Sequence, residues 1–232
     1  MRHSRHPLKK LRWRTRALLN LACIALAALL IYAGKGFPYL NWEQDLQYSL
    51  RRSLADGAEI IFTQRVPDGL GTWSDEAGET VYLVRQGDSV GAMRMMRQQV
   101  GNTAFGGPNR YVLRYQNRGG LYVIPLYGAM RDDHFFRGVT VAVVPADPAV
   151  ERVEVLYSSE PGESEPSVHQ AERTEEGVFL ATVPADSGDG FLSVGVYDEL
   201  LAYNCLSAVG YDKDGRVVAQ AQSAWEEAEN EN

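Results

Sequence analysis

Residues 135–159 read FFRGVTVAVVPADPAVERVEVLYSS. FFRGVTVAVV (135–144) is a β-branched and aromatic run, and ERVEVLYSS (151–159) places Val153, Val155 and Tyr157 at alternate positions. A period of two puts such residues on one face of a strand. Pro145 and Pro148 lie between the runs and force a turn. The stretch therefore reads as two strands of a β protein.

The same pattern extends in both directions. Downstream, VHQAER (168–173), GVFLATV (177–183) and GFLSVGVYD (190–198) follow at strand spacing. AYNCLSAVGYD (202–212) and GRVVAQAQ (215–222) are joined by Asp212-Lys213-Asp214-Gly215, a hairpin turn in which Gly215 is expected at positive φ. Upstream, AEIIFTQR (58–65) and ETVYLVR (79–85) read as strands; SVGAMRMMRQQV (89–100) is ambiguous, its methionines fitting a helix core, but a hairpin return after Gly87-Asp88 fits its neighbours better. Residues 101–109, rich in glycine, read as a loop. RYVLRYQ (110–116) and LYVIPL (121–126) flank Asn117-Arg118-Gly119-Gly120, a hairpin signal, and Pro125 assigns the second run to an edge or ends it early. About ten short strands at regular spacing predict a mainly β fold of sandwich type. Two packed lobes are expected, 58–134 and 135–223, the second with the strand number of an immunoglobulin-like sandwich; the acidic tail is 224–232.

The N-terminal end has a different character. Residues 1–16 carry Arg2, Arg5, Lys9, Lys10, Arg12, Arg14 and Arg16 and no acid, and residues 17–34, ALLNLACIALAALLIYAG, carry no charge. A basic segment before an apolar run orients an inserted helix with its basic end in the cytoplasm. The expected organisation is a cytoplasmic segment 1–16, a transmembrane helix 17–34 and a juxtamembrane segment 35–57 with a helix at 42–55 stopped at Gly57. This helix starts at Asn41 with Gln44 in a capping-box position and carries Leu46, Leu50 and Leu54 on one face. Tyr32, Phe37, Tyr39 and Trp42 suit an outer interfacial belt. An uncleaved anchor is favoured over a signal peptide cut after Ala33, because the apolar run continues to Tyr32. Asn20 disfavours lipid attachment at Cys23.

The formal charge of −7 is unevenly divided: residues 35–232 hold 16 bases and 30 acids. An acidic exported part argues against nucleic-acid binding, which needs a basic footprint. Cys205 is the single exported cysteine and reads as a small core residue; a catalytic thiol would need His134 or His169 beside it. Arg131-Asp132-Asp133-His134 is the densest polar group, but neighbouring strand residues face opposite ways and converge poorly. Asp212-x-Asp214-Gly215 resembles the start of a calcium loop and lacks the later acidic ligand. Phe105-Gly106-Gly107-Pro108 lacks the Lys-Ser/Thr of a phosphate loop. Glu160, Glu163 and Glu165, with Glu172, Glu175 and Glu176, read as a solvated acidic stretch. No catalytic, cofactor-binding or metal-binding residue is assigned.

LYVIPLYG, FFRGVTVAVV, ERVEVLY and GYDKDGRVV, through Pro125, Gly128, Val139, Val141, Val153, Val155, Tyr211, Asp212 and Gly215, resemble a class of uncharacterised bacterial single-pass membrane-anchored proteins with an extracytoplasmic β-rich domain. The resemblance implies a bacterial envelope protein and carries no activity. The expectation is a non-enzymatic binding or interaction module outside the cytoplasm, with the membrane and an envelope protein or polymer as partners. The alternative is an enzyme acting on an envelope polymer, using acids such as Asp132, Asp133 or Glu199.

Overall fold

The computed structural model describes residues 13–34, 42–66, 79–100, 103–107, 112–130, 136–158, 165–184 and 205–223. Its elements are α1 (Trp13–Gly34), α2 (Trp42–Arg52), β1 (Glu59–Arg65), β2 (Glu79–Gln86), β3 (Ser89–Val100), β4 (Thr103–Gly107), β5 (Leu113–Tyr115), β6 (Leu121–Met130), β7 (Phe136–Pro145), β8 (Arg152–Tyr157), β9 (Ser167–Arg173), β10 (Phe179–Pro184), β11 (Leu206–Tyr211) and β12 (Val217–Ala221). The fold is mainly β, with two sheets and two helices among the described residues. The chain divides into two compact units, Met1–Tyr48 and Ser49–Asn232.

In the first unit, α1 exposes large apolar side chains along its length: Leu18, Leu21, Ile24, Leu26, Leu29, Leu30 and Ile31 are each more than half exposed. Among the described residues no helix is long and apolar enough to cross a membrane. From Ala17 to Gly34 the uncharged stretch of α1 is about 27 Å long, against a hydrocarbon core of about 30 Å. The transmembrane span expected over 17–34 is therefore a helix here, but the fold does not establish it as a span.

The stop of α2 differs from the expectation. Ala55 N–H reaches Leu50 C=O at 2.8 Å and Leu54 N–H reaches Arg51 C=O at 3.1 Å. These bonds form a Schellman motif with Leu54, at φ 57°, in the left-handed position. The helix ends at Arg52 rather than 55, and a leucine does what Gly57 was expected to do. The buried pair Leu50 and Ala55 supplies the apolar contact that accompanies this cap.

The first sheet has the order β1-β2-β3-β4, with β5 also on β3. The β2–β3 hairpin turns at Gly87-Asp88, with Gln86 opposite Ser89. Val81 and Leu83 belong to the main core, whereas the alternate residues Tyr82 and Val84, also buried, lie outside it. Both faces of β2 are thus covered. On the side of Arg114, the turn after α2 is held by Val112 N–H donating to Ser53 Oγ at 3.0 Å and by Arg114 donating to Leu54 C=O at 3.2 Å. Residues 103–107, expected as loop, form β4 against Met96–Val100.

The second sheet has the order β12-β11-β8-β9-β10-β7-β6. β9 changes partners midway: Ser167–Ala171 pair with β8 and Glu172–Arg173 pair with β10. It links a four-stranded part, β12-β11-β8-β9, to a three-stranded part, β10-β7-β6. The ends of this order meet, because Gln220 N–H on β12 donates to the carbonyl of Gly119, just before β6, at 3.0 Å. β6 is an edge strand, and its ladder slips between Pro125 and Tyr127, as a proline there requires.

Two expectations change here. Asn117–Gly120 does form a tight turn: Arg118 and Leu121 exchange both backbone hydrogen bonds, and Gly119 and Gly120 have φ 53° and 92°. It does not join a hairpin, because β5 pairs with β3 and β6 with β7. The turn sends the chain from one sheet to the other. The lobe boundary at 134/135 therefore falls inside the β6–β7 pair, and one core runs through both sheets, from Phe62 and Leu83 to Leu206 and Ala221. Cys205 lies in that core. The strand expected at 190–198 and the group Arg131–His134 lie outside the described residues.

The β11–β12 turn is a hairpin with Gly215 at φ 78°. Asp212 organises it: its Oδ1 accepts from Asp214 N–H at 2.9 Å and Arg216 N–H at 2.8 Å. Both backbone donors meet Oδ1, the arrangement of an Asx-type turn. Asp212→Ala should cost about 1–2 kcal/mol, Asp214→Ala close to nothing, and calcium should leave the melting temperature unchanged. Melting curves with calcium and with chelator check all three.

Candidate functional site

Among the described residues, an open cleft of about 320 Å³ lies where strands of the two sheets come together. β1 contributes Glu59, Ile60 and Ile61, β2 contributes Arg85, and the end of β7 contributes Val144 and Pro145. The β9–β10 turn adds Glu176, Gly177 and Val178. Local rules explain each wall. The β1–β2 ladder slips between Ile60 and Phe62, so the bulge re-aims this stretch of β1 and leaves Ile60 39% exposed. Glu59 and Arg85 are directly paired across β1 and β2. Thr174 shapes the turn, its hydroxyl accepting from Val178 N–H at 3.3 Å while Gly177 takes φ 80°.

The cleft has an apolar floor of Ile61, Val144 and Val178 and a charged rim of Glu59, Arg85 and Glu176. Its size is at the small end of the ligand-pocket range of roughly 300–1,000 Å³. The ionisable groups of its lining are the carboxylates of Glu59 and Glu176 and the guanidinium of Arg85. Most of the surface it exposes is polar, so the arrangement suits contact with a polar or charged group.

A second polar group lies on β8 and β11. The Arg152 guanidinium stacks 3.9 Å from the Tyr211 ring centroid and pairs with Glu154. The Tyr211 hydroxyl donates to Glu154 Oε2 at 2.7 Å. These groups satisfy one another and form a structural clasp between neighbouring strands. The bond to Glu154 raises the Tyr211 pKa, with burial and the charge of Glu154 adding and Arg152 opposing. The hydroxyl is thus held protonated more firmly in the folded chain than at its ordinary value of about 10. The stability this supplies is complete below that value and is lost as pH rises through the raised one. In urea titrations between pH 8 and 11.5, the wild type should lose the most advantage over Tyr211→Phe above pH 10.

Among the residues singled out in the sequence, His169 sits on β9 with Nε2 3.0 Å from Ser167 Oγ, and burial lowers its pKa. Glu165, Glu172, Glu175 and Glu176 are exposed, and only Glu176 joins the cleft. Phe105-Gly106-Gly107 belongs to β4. Asp132, Asp133, His134, Glu160, Glu163 and Glu199 lie outside the described residues. Among the described residues no group of three or more His, Cys, Asp or Glu is placed to hold a metal ion. Sequence reasoning missed Glu59 and Arg85. Only the alignment of β1 against β2, across residues 67–78, would have brought them together. No protein-family model, no curated protein and no solved structure matches the chain.

Proposed function

We propose that the chain is a membrane-anchored extracytoplasmic protein of the bacterial cell envelope, and that its β unit is a non-enzymatic binding module. The observation that carries this reading is α1. A helix whose Leu and Ile side chains are exposed along its length has no stable place in water, and the basic residues before it set the cytoplasmic end. With Lys35 onward outside the cytoplasm, the acidic balance of the exported part suits soluble exposure and a protein or polymer partner rather than nucleic acid.

The strand order β12-β11-β8-β9-β10-β7-β6 supports an immunoglobulin-like reading of the second sheet. On this reading the immunoglobulin-like part would begin at β6, which pairs with β7. The cleft between the sheets is the place for a ligand segment.

The partner test is in situ cross-linking from position 60, at the cleft. An envelope protein or polymer captured there, and lost in Glu59→Lys/Glu176→Lys, is the expected result. Capture indifferent to both substitutions would contradict the cleft as the binding site.

A further inference from the structure

The end of α2 carries an exposed side chain that the fold does not explain. Leu54 is 83% exposed, and its φ of 57° is one that a leucine adopts only with strain. Glycine is the usual residue at this position of a Schellman motif. Here the strain is accepted and the side chain is directed to solvent. Strained residues that a fold does not require are candidates for function.

The surroundings of Leu54 are basic. Arg51 and Arg52 precede it and are exposed, and the exposed Arg114 donates to its carbonyl. Asp56 offsets part of that charge through its pair with Arg51, at 3.5 Å. Arg51, Arg52 and Arg114 beside one exposed leucine stand out in a part of the chain that is acidic overall. The chain from Gly34 to α2 is only residues 35–41, about 25 Å when extended, and α2 adds about 16 Å. That chain length sets only an upper limit on the distance between the two ends.

We propose that Leu54, Arg51, Arg52 and Arg114 form a docking surface for an anionic lipid bilayer, with Leu54 entering the headgroup–acyl boundary and the guanidiniums meeting lipid phosphates. This rests on the reading of α1 as an anchor. Apolar insertion and basic attraction are the two terms that hold peripheral surfaces to membranes. Each base near an anionic surface contributes roughly five-fold in affinity. The docking would fix which side of the β unit faces the membrane.

The test uses the full chain in vesicles of phosphatidylcholine, with or without phosphatidylglycerol, containing spin-labelled lipids as quenchers. A fluorophore is placed on Leu54→Cys in a Cys23→Ala background. Asp214→Cys on the β11–β12 turn is the control, and a third sample carries the label on the native Cys23. The expected result is at least two-fold stronger quenching at 54 than at 214. It should be greater with the anionic lipid and reduced by Arg51→Glu/Arg52→Glu. Quenching at 23 without quenching at 54 would overturn the docking surface and leave the anchor standing. No quenching at either position would overturn the anchor, and the docking surface with it. Equal quenching at 54 in neutral and anionic vesicles would overturn the role given to the arginines.

Discussion

Gly119→Ala should destabilise the β unit by about 3 kcal/mol or more, although it adds a single methyl group. A Cβ at Gly119 would lie 1.8 Å from the carbonyl oxygen of Gln220 and 2.7 Å from its carbon. Both are backbone atoms of β12 and cannot swing aside. Gln220 N–H donates to the Gly119 carbonyl at 3.0 Å, so moving the strands apart breaks a backbone hydrogen bond. The neighbouring Arg118 would lose its hold as well, since its guanidinium donates to Gln222 C=O at 2.9 Å and Leu206 C=O at 3.0 Å. The control is Gly177→Ala. Gly177 also has positive φ, at 80°, but has nothing within 4 Å of its Cβ position. That change should cost about 1 kcal/mol, the conformational part alone. Equal urea midpoints for the two variants would show that the turn at 119 is not seated on β12.

Phe179→Ala should cost about 3–5 kcal/mol, the range for a buried aromatic truncated in a core. Phe179 is 1% exposed and among the largest fully buried side chains of the described residues. It pairs with Val143 of β7 on one side and Arg173 of β9 on the other, at the place where β9 leaves β8 for β10. The Arg173 guanidinium lies 5.7 Å from its ring centroid. The side chain therefore fills the joint between the three- and four-stranded parts, and its loss leaves a void that backbone pairing prevents from closing. Leu180, next in sequence and on the opposite face, is only partly buried against the core. Leu180→Ala should cost less than half as much. If both variants melted alike, the two faces of β10 would not differ in the way the alternation requires.

Much of this architecture was legible wherever a local rule acts alone. The two-residue turn at Gly87-Asp88 follows from turn chemistry and decides between strand and helix for β3, and Gly215 takes the positive φ its hairpin demands. The misses have a common physical origin in tertiary choices. Asn117–Gly120 signals a reversal of the chain, but nothing local says that β5 belongs to β3 and β6 to β7. The glycines of residues 101–109 hide β4, whose pairing with β3 overrides weak propensity. Leu54 caps α2 against its own preference. The cleft was invisible because Glu59, Arg85 and Glu176 are far apart in sequence and meet only through register and sheet packing.

The central claim is that α1 anchors the chain with its β unit outside the cytoplasm. Its most direct measurement is a pair of C-terminal fusions after Asn232, one to a reporter active only outside the cytoplasm and one to a reporter active only inside it. The account predicts activity from the first and silence from the second, with the first losing activity when the seven N-terminal bases are neutralised. Activity from the cytoplasmic reporter, with silence from its counterpart, would contradict it.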